Sequence, residues 1–275
     1  MKTRYVKLSL VMATLFLLVA CSIADTTQPD TPASVSGFDS PEDAVVAYLE
    51  GLRDSDLDRM ISTFALEPHV ERFDLETFLE RLRIYQHPMT PLPDANEFAM
   101  AINIELRRAA IINQIRGQYM VLTHPERHTY VLRYTAFQDV WIEEGGAYNF
   151  IQEFSEILNA PEFHTLEIQG FLLLEWSARY RDTPEIHYRT LSNNLAFLGA
   201  DQLVSRIVVF SLNGNYYLLF VDLAEYSGKW YINTLGGVAS HLQSVPGTMW
   251  GIMVVSPDAT DAFSDEIEEW FIREW

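Results

Sequence analysis

Proton transfer is the chemistry this 275-residue chain offers most plainly, because its foremost candidate residue is an acid, Asp222, set in an apolar run. Asp222 belongs to the segment Tyr216–Ala224 and shares a strand face with Tyr216, Leu218 and Phe220. Inside a pocket its pKa would rise by desolvation, as a general acid or base requires. At a strand end it would be an ordinary surface carboxylate, which is the usual position for a lone aspartate and the expectation here. Glu175, beside Trp176, is a similar but weaker candidate.

Metal and nucleophile patterns are incomplete or absent in this chain. Asp54, Asp56 and Asp58 have the interval that opens a calcium loop, and Ile61 falls at its apolar eighth place. Arg59 then stands where the loop needs glycine and Ala65 where it needs a bidentate glutamate, so the acids are assigned to helix caps and first turns. His124 and His128 are four apart, but Pro125 opposes a continuous helix and no third ligand or neighbouring glutamate base follows. Gly-x-Ser-x-Gly, phosphate-loop and His-Glu-x-x-His patterns do not occur in the chain. No catalytic set, cofactor or metal is therefore expected.

The single cysteine, Cys21, follows Leu18, Val19 and Ala20 at the end of an apolar run that starts after Lys2 and Arg4. That run, 6–20, is too short to span a bilayer and has the form of a signal peptide. Leu-Val-Ala-Cys resembles the bacterial lipobox. The resemblance implies that the chain is cleaved before Cys21 and that the thiol is diacylated, giving an extracytoplasmic protein tethered to a bacterial membrane by lipid. With no second cysteine, the folded part has neither disulfides nor a cysteine metal site.

Charge narrows the partners. Asp and Glu number 38 against 19 Lys and Arg, a net charge of −19, and the leader removes Lys2, Arg4 and Lys7 but no acid. Such a field repels nucleic acid and anionic headgroups, so no nucleic-acid partner is expected. Residues 21–37 carry Pro29 and Pro32 and little that could be buried, which makes them a flexible spacer after the 1–20 signal.

Residues 38–275 form the globular part, with helices over 38–120, a sheet-rich part over 126–245 and a final helix over 258–275. Ser40-Pro41-Glu42-Asp43 caps a first helix with Val45, Tyr48, Leu49 and Leu52 on one face, ending near 51–53. Asp54 or Ser55 caps a second, whose inward side is Leu57, Met60, Ile61 and Phe64. Asp74 opens a third, and a longer helix over 96–116 has Phe98, Ile102, Leu106 and Ala109 as its stripe. Strands are expected at 130–134 and 166–176, and a short helix is favoured at 150–158. From Val204 onward, 207–212, a turn at 213–215, 216–224, a turn at 227–228 and 230–232 make a three-strand antiparallel meander. Tyr217, Leu219, Val221 and Leu223 face one way and Tyr216, Leu218 and Phe220 the other, so both faces need cover. Phe263, Ile267, Trp270 and Phe271 stripe an acidic C-terminal helix that docks on its own domain or on a protein partner. Its acidic polar face argues against membrane insertion.

The fold class is therefore α+β: N-terminal helices on a curved antiparallel sheet that ends in the meander, followed by an amphipathic helix. Phe38-Asp39-Ser40-Pro41-Glu42-Asp43-Ala44-Val45, Tyr48-Leu49-Glu50-Gly51-Leu52 and Asp56-Leu57, with Gly228-Lys229-Trp230-Tyr231-Ile232 near the end, resemble the cystatin-like cone domains of bacterial lipoproteins. These belong to the nuclear-transport-factor-two-like or ketosteroid-isomerase-like group. The resemblance implies a cone with a pocket between helices and sheet, and it carries over no catalytic residue. The function expected is a binding or accessory module for an envelope protein or a small apolar ligand; the alternative is a pocket enzyme of the isomerase or dehydratase type using Asp222.

Overall fold

The computed structural model describes residues 37–82, 91–93, 96–123, 162–174, 184–238 and 250–255, all within one compact unit, Ser36–Trp275. Cys21, Glu175, His124, His128, the expected strand at 130–134, the favoured helix at 150–158 and the C-terminal helix lie outside the described residues.

Helix α1 (Pro41–Arg53) starts as its sequence dictates. Ser40 is extended, its hydroxyl accepts the Asp43 N–H at 3.1 Å, and Pro41 fills the first turn where no N–H is missed. Helix α2 (Leu57–Ser62) is capped by Asp56, which accepts the Arg59 N–H at 2.9 Å, rather than by Asp54 or Ser55. The cap is displaced because Ser55 takes a left-handed conformation, φ 57°, to turn the corner. Met60, Ile61 and Phe64 are buried as expected, whereas Leu57, in the first turn, is 45% exposed. A short helix α3 (Glu67–Arg72) precedes α4 (Leu75–Leu82), and Asp74 accepts the Thr77 N–H at 2.9 Å to cap α4.

Helix α5 (Glu97–Thr123) runs seven residues beyond the expected end. It buries Ala99, Asn103, Ile111, Ile115 and Gln118 instead of the Phe98 stripe, and Phe98 is 77% exposed. Apolar residues occur on several sides of this helix, so periodicity alone did not fix its inward face. A 3-10 turn, Phe163–Thr165, leads into strand β1 (Glu167–Leu172). Helix α6 (Pro184–Leu198) follows, inside the stretch that the sequence marked as sheet-rich.

The sheet is antiparallel throughout, in the order β1-β2-β3-β4, with β2 Gln202–Leu212, β3 Asn215–Tyr226 and β4 Lys229–Leu235. Both meander turns use consecutive positive φ values, 52° and 79° at Asn213-Gly214 and 55° and 78° at Ser227-Gly228. That geometry matches the twist of the strands it joins. A short β5 (Ile252–Val254) pairs with β3 along the edge that β4 leaves free, so β4 and β5 lie end to end beside one strand. A bulge at Asp222/Leu223 marks the middle of that edge.

The first described residues and the end of α2 are stitched to β4. Phe38 and Trp230 exchange backbone hydrogen bonds of 3.1 and 2.8 Å, and Ile232 donates to the Thr63 carbonyl at 2.9 Å. Val45, Tyr48, Leu49, Phe64, Ile111 and Ile115 pack on Phe210, Tyr217, Leu219, Val221 and Leu223 as the main core. Leu172, Ile207, Val209, Leu218, Phe220 and Val255 form a second cluster on the opposite face. Both faces of β3 are thus buried, as its sequence requires.

Candidate functional site

Asp222 is buried, 2% exposed, contrary to the surface position expected of it. It lies in the interior of β3, opposite Ser205 on β2 and Thr234 on β4, and not at a strand end. Ser205, itself 2% exposed, donates its hydroxyl to Oδ1 at 2.5 Å, and the Val238 N–H donates to Oδ2 at 2.9 Å. Burial pushes the carboxyl up to about 6, against the two hydrogen bonds, which favour the ionised form.

The backbone closes over this carboxylate. Gly237 has φ +53°, and a Cβ added there would lie 2.2 Å from Asp222 Cγ and 2.4 Å from each carboxylate oxygen. Glycine is required at 237 for its conformation and for the space. The Gly236 N–H donates to the Phe220 carbonyl at 2.7 Å, and the Phe220 N–H donates to the Gly251 carbonyl at 2.8 Å. Asp222 thus pins the point at which the chain leaves β4. Its two oxygens hold the fold and are packed against main chain.

The acids weighed as calcium ligands are committed elsewhere. Asp56 caps α2, Asp54 pairs with Arg53 at 3.3 Å and Arg59 at 3.1 Å, and Asp58 pairs with Arg108 at 3.3 Å. Arg59 also pairs with Glu50. Among the described residues no group of three or more metal-ligating side chains converges.

A second polar cluster, which the sequence reasoning missed, lies where α3 and α5 meet the far end of the sheet. Arg107 of α5 donates through Nη2 to the backbone carbonyl of Asn233 and, at 3.3 Å, to its side-chain oxygen. Its Nε is enclosed without a partner, as is Nδ1 of His69, a residue 7% exposed. Burial first and the Arg107 charge second hold His69 well below the usual histidine range, so it is neutral near pH 7. Burial lowers Arg107 to about 10, and the same cause raises the Tyr226 hydroxyl to about 12, with Arg107 acting in the opposite sense. Tyr226 donates to the Leu198 carbonyl at 3.3 Å and carries the Arg72 guanidinium 5.8 Å above its ring. Arg107 continues the i+4 series Ala99, Asn103, Ile111, Ile115, a face that the sequence periodicity does not mark as inward.

A third buried polar pair is structural. Tyr48 donates to Gln118 Oε1 at 2.6 Å, and Gln118 passes the chain on by donating to the Trp250 carbonyl at 2.7 Å. Gly117 beside it admits the Trp250 ring, whose nearest atom would lie 2.0 Å from an added Cβ.

Helices followed by this five-strand antiparallel sheet define a cystatin-like fold. The crystal structure of a cystatin-like protein from Ruminococcus gnavus is similar to it, with a TM-score of 0.50 and 14% sequence identity over 78% of this chain and 44% of that one. This chain therefore spans less than half the length of that protein. No protein-family model and no curated protein matches the sequence.

Proposed function

We propose that this protein is an extracytoplasmic module, anchored to a bacterial membrane through acylated Cys21, which binds an envelope protein or a small apolar ligand rather than turning over a substrate. Within cystatin-like folds it is assigned to the nuclear-transport-factor-two-like or ketosteroid-isomerase-like group on the motifs around Phe38 and Trp230, which pair in the sheet. One observation supports binding over catalysis: both oxygens of Asp222 accept hydrogen bonds from the fold, and Gly237 lies against them. An acid or base must present a free oxygen to the proton it moves. Asp222 is the only fully buried carboxylate among the described residues, and the commitment of both its oxygens to the fold weighs against the enzyme alternative that names it.

The test compares wild type with Asp222→Asn in the full chain. Crosslinking in native membranes and a small-molecule thermal-shift screen should yield a specific partner or ligand that both proteins retain. Recovery of neither, or a proton-transfer activity abolished by Asp222→Asn, would overturn the binding reading.

A further inference from the structure

Among the described residues no carboxylate pairs with Arg107, a half-buried cation. Arg53, Arg59, Arg72, Arg108, Arg206 and Lys229 each lie 3.3 Å or less from a carboxylate. Among the described residues Arg107 has no such pair; Arg81, Arg116 and Arg189 lack one too, but they are exposed, whereas Arg107 is half-buried, in a chain whose acids outnumber its bases 38 to 19. Partial burial of a guanidinium costs desolvation, which an anion offsets and a carbonyl offsets only in part. Asn233 engages Nη2 alone, and among the described residues Nη1 takes part in no hydrogen bond or ion pair. Unlike Nε, Nη1 is not among the enclosed orphan atoms, so this edge is the one an anion could reach.

We propose that Arg107 anchors a carboxylate-binding site, taking the carboxylate of a small organic acid on its Nη1 edge beside His69 and Tyr226. A single guanidinium matches one negative charge, and the net charge of −19 disfavours a multiply charged anion such as phosphate. Neutral His69 adds no second positive charge, which leaves a single cation to meet a single carboxylate. An apolar flank continues from it: Phe73 lies 5.6 Å from the His69 ring, and Phe78 and Phe197 lie 5.2 and 5.9 Å from Phe73. All three phenylalanines are half-buried, which suits the hydrocarbon part of an amphipathic acid. The inference rests on the binding-module reading and narrows its small ligand to one with an apolar body and a single carboxylate.

Phenylglyoxal footprinting of the full chain tests it, with sodium phenylacetate as probe against sodium chloride at equal ionic strength. Modification of Arg107 should slow saturably, by about three-fold or more near saturation, while Arg53 keeps its rate. In parallel, phenylacetate should raise the melting temperature of wild type and leave that of Arg107→Gln unmoved. If Arg107→Gln does not fold, the footprint decides. Equal Arg107 rates in the two salts overturn the site, and so does an Arg107 that stays unmodified while Arg53 reacts fully. Partner or ligand capture that persists alongside such a result leaves the module standing without this site.

Discussion

Replacing Asp222 by asparagine should stabilise the protein at neutral pH and do nothing at acidic pH. The folded carboxyl titrates at about 6 against a reference of 3.8, so the fold favours the neutral group over the ion by about 3 kcal/mol, at 1.36 kcal/mol per unit. The raised value fixes the sign. The contribution is fully present below the unfolded pKa of about 3.8 and is lost as pH rises through about 6. Asparagine stays neutral throughout, can accept the Val238 N–H through Oδ1 and can donate to Ser205 Oγ through its amide. Relative to wild type it should gain nothing at pH 4 and as much as about 3 kcal/mol at pH 8. In a domain of this size that is roughly 6 to 12 °C of melting temperature. Thermal melts of both proteins from pH 4 to pH 8 would read it. An Asp222→Asn protein that is less stable at pH 8, or a difference that does not change with pH, would refute the reasoning.

Four other substitutions follow from the fold. Ser205→Ala removes a hydrogen bond that favours the ionised carboxylate, so the midpoint of the Asp222-dependent fall in stability should move above pH 6, read from the same melts. Gly237→Ala puts a methyl group onto the Asp222 carboxylate at a left-handed position and should cost about 3 kcal/mol or more by urea denaturation. Gly214→Ala, also left-handed but with nothing within 4 Å, should cost only about 1 to 2 kcal/mol in the same assay. Tyr48→Phe leaves Gln118 Oε1 without its buried donor and should cost about 1 to 3 kcal/mol, with the near-ultraviolet signature of the fold retained.

Much of this fold was legible where local signals were strong. Ser40-Pro41 set the start of α1, the Asn213-Gly214 and Ser227-Gly228 pairs set both meander turns, and alternation along 216–224 announced a strand buried on two faces. Helix α6 and the true face of α5 were hidden because their apolar residues do not fall in one clean stripe. Asp222 shows a different limit. Its place in an apolar strand was plain, but its burial depends on Ser205 on the neighbouring strand and on Val238, sixteen residues along the chain. Arg107 was illegible for the same reason: a charged residue on an inward face is recognised only once Asn233 and His69 are known to meet it.

The central claim is that this cystatin-like domain works at a membrane to which Cys21 tethers it. Mass spectrometry of the protein from isolated membranes tests that most directly. The mature chain should begin at Cys21 and bear a diacylglyceryl thioether, with Cys21→Ala left uncleaved and unacylated. An unmodified Cys21, or a Cys21→Ala protein processed and fractionated like wild type, would contradict it.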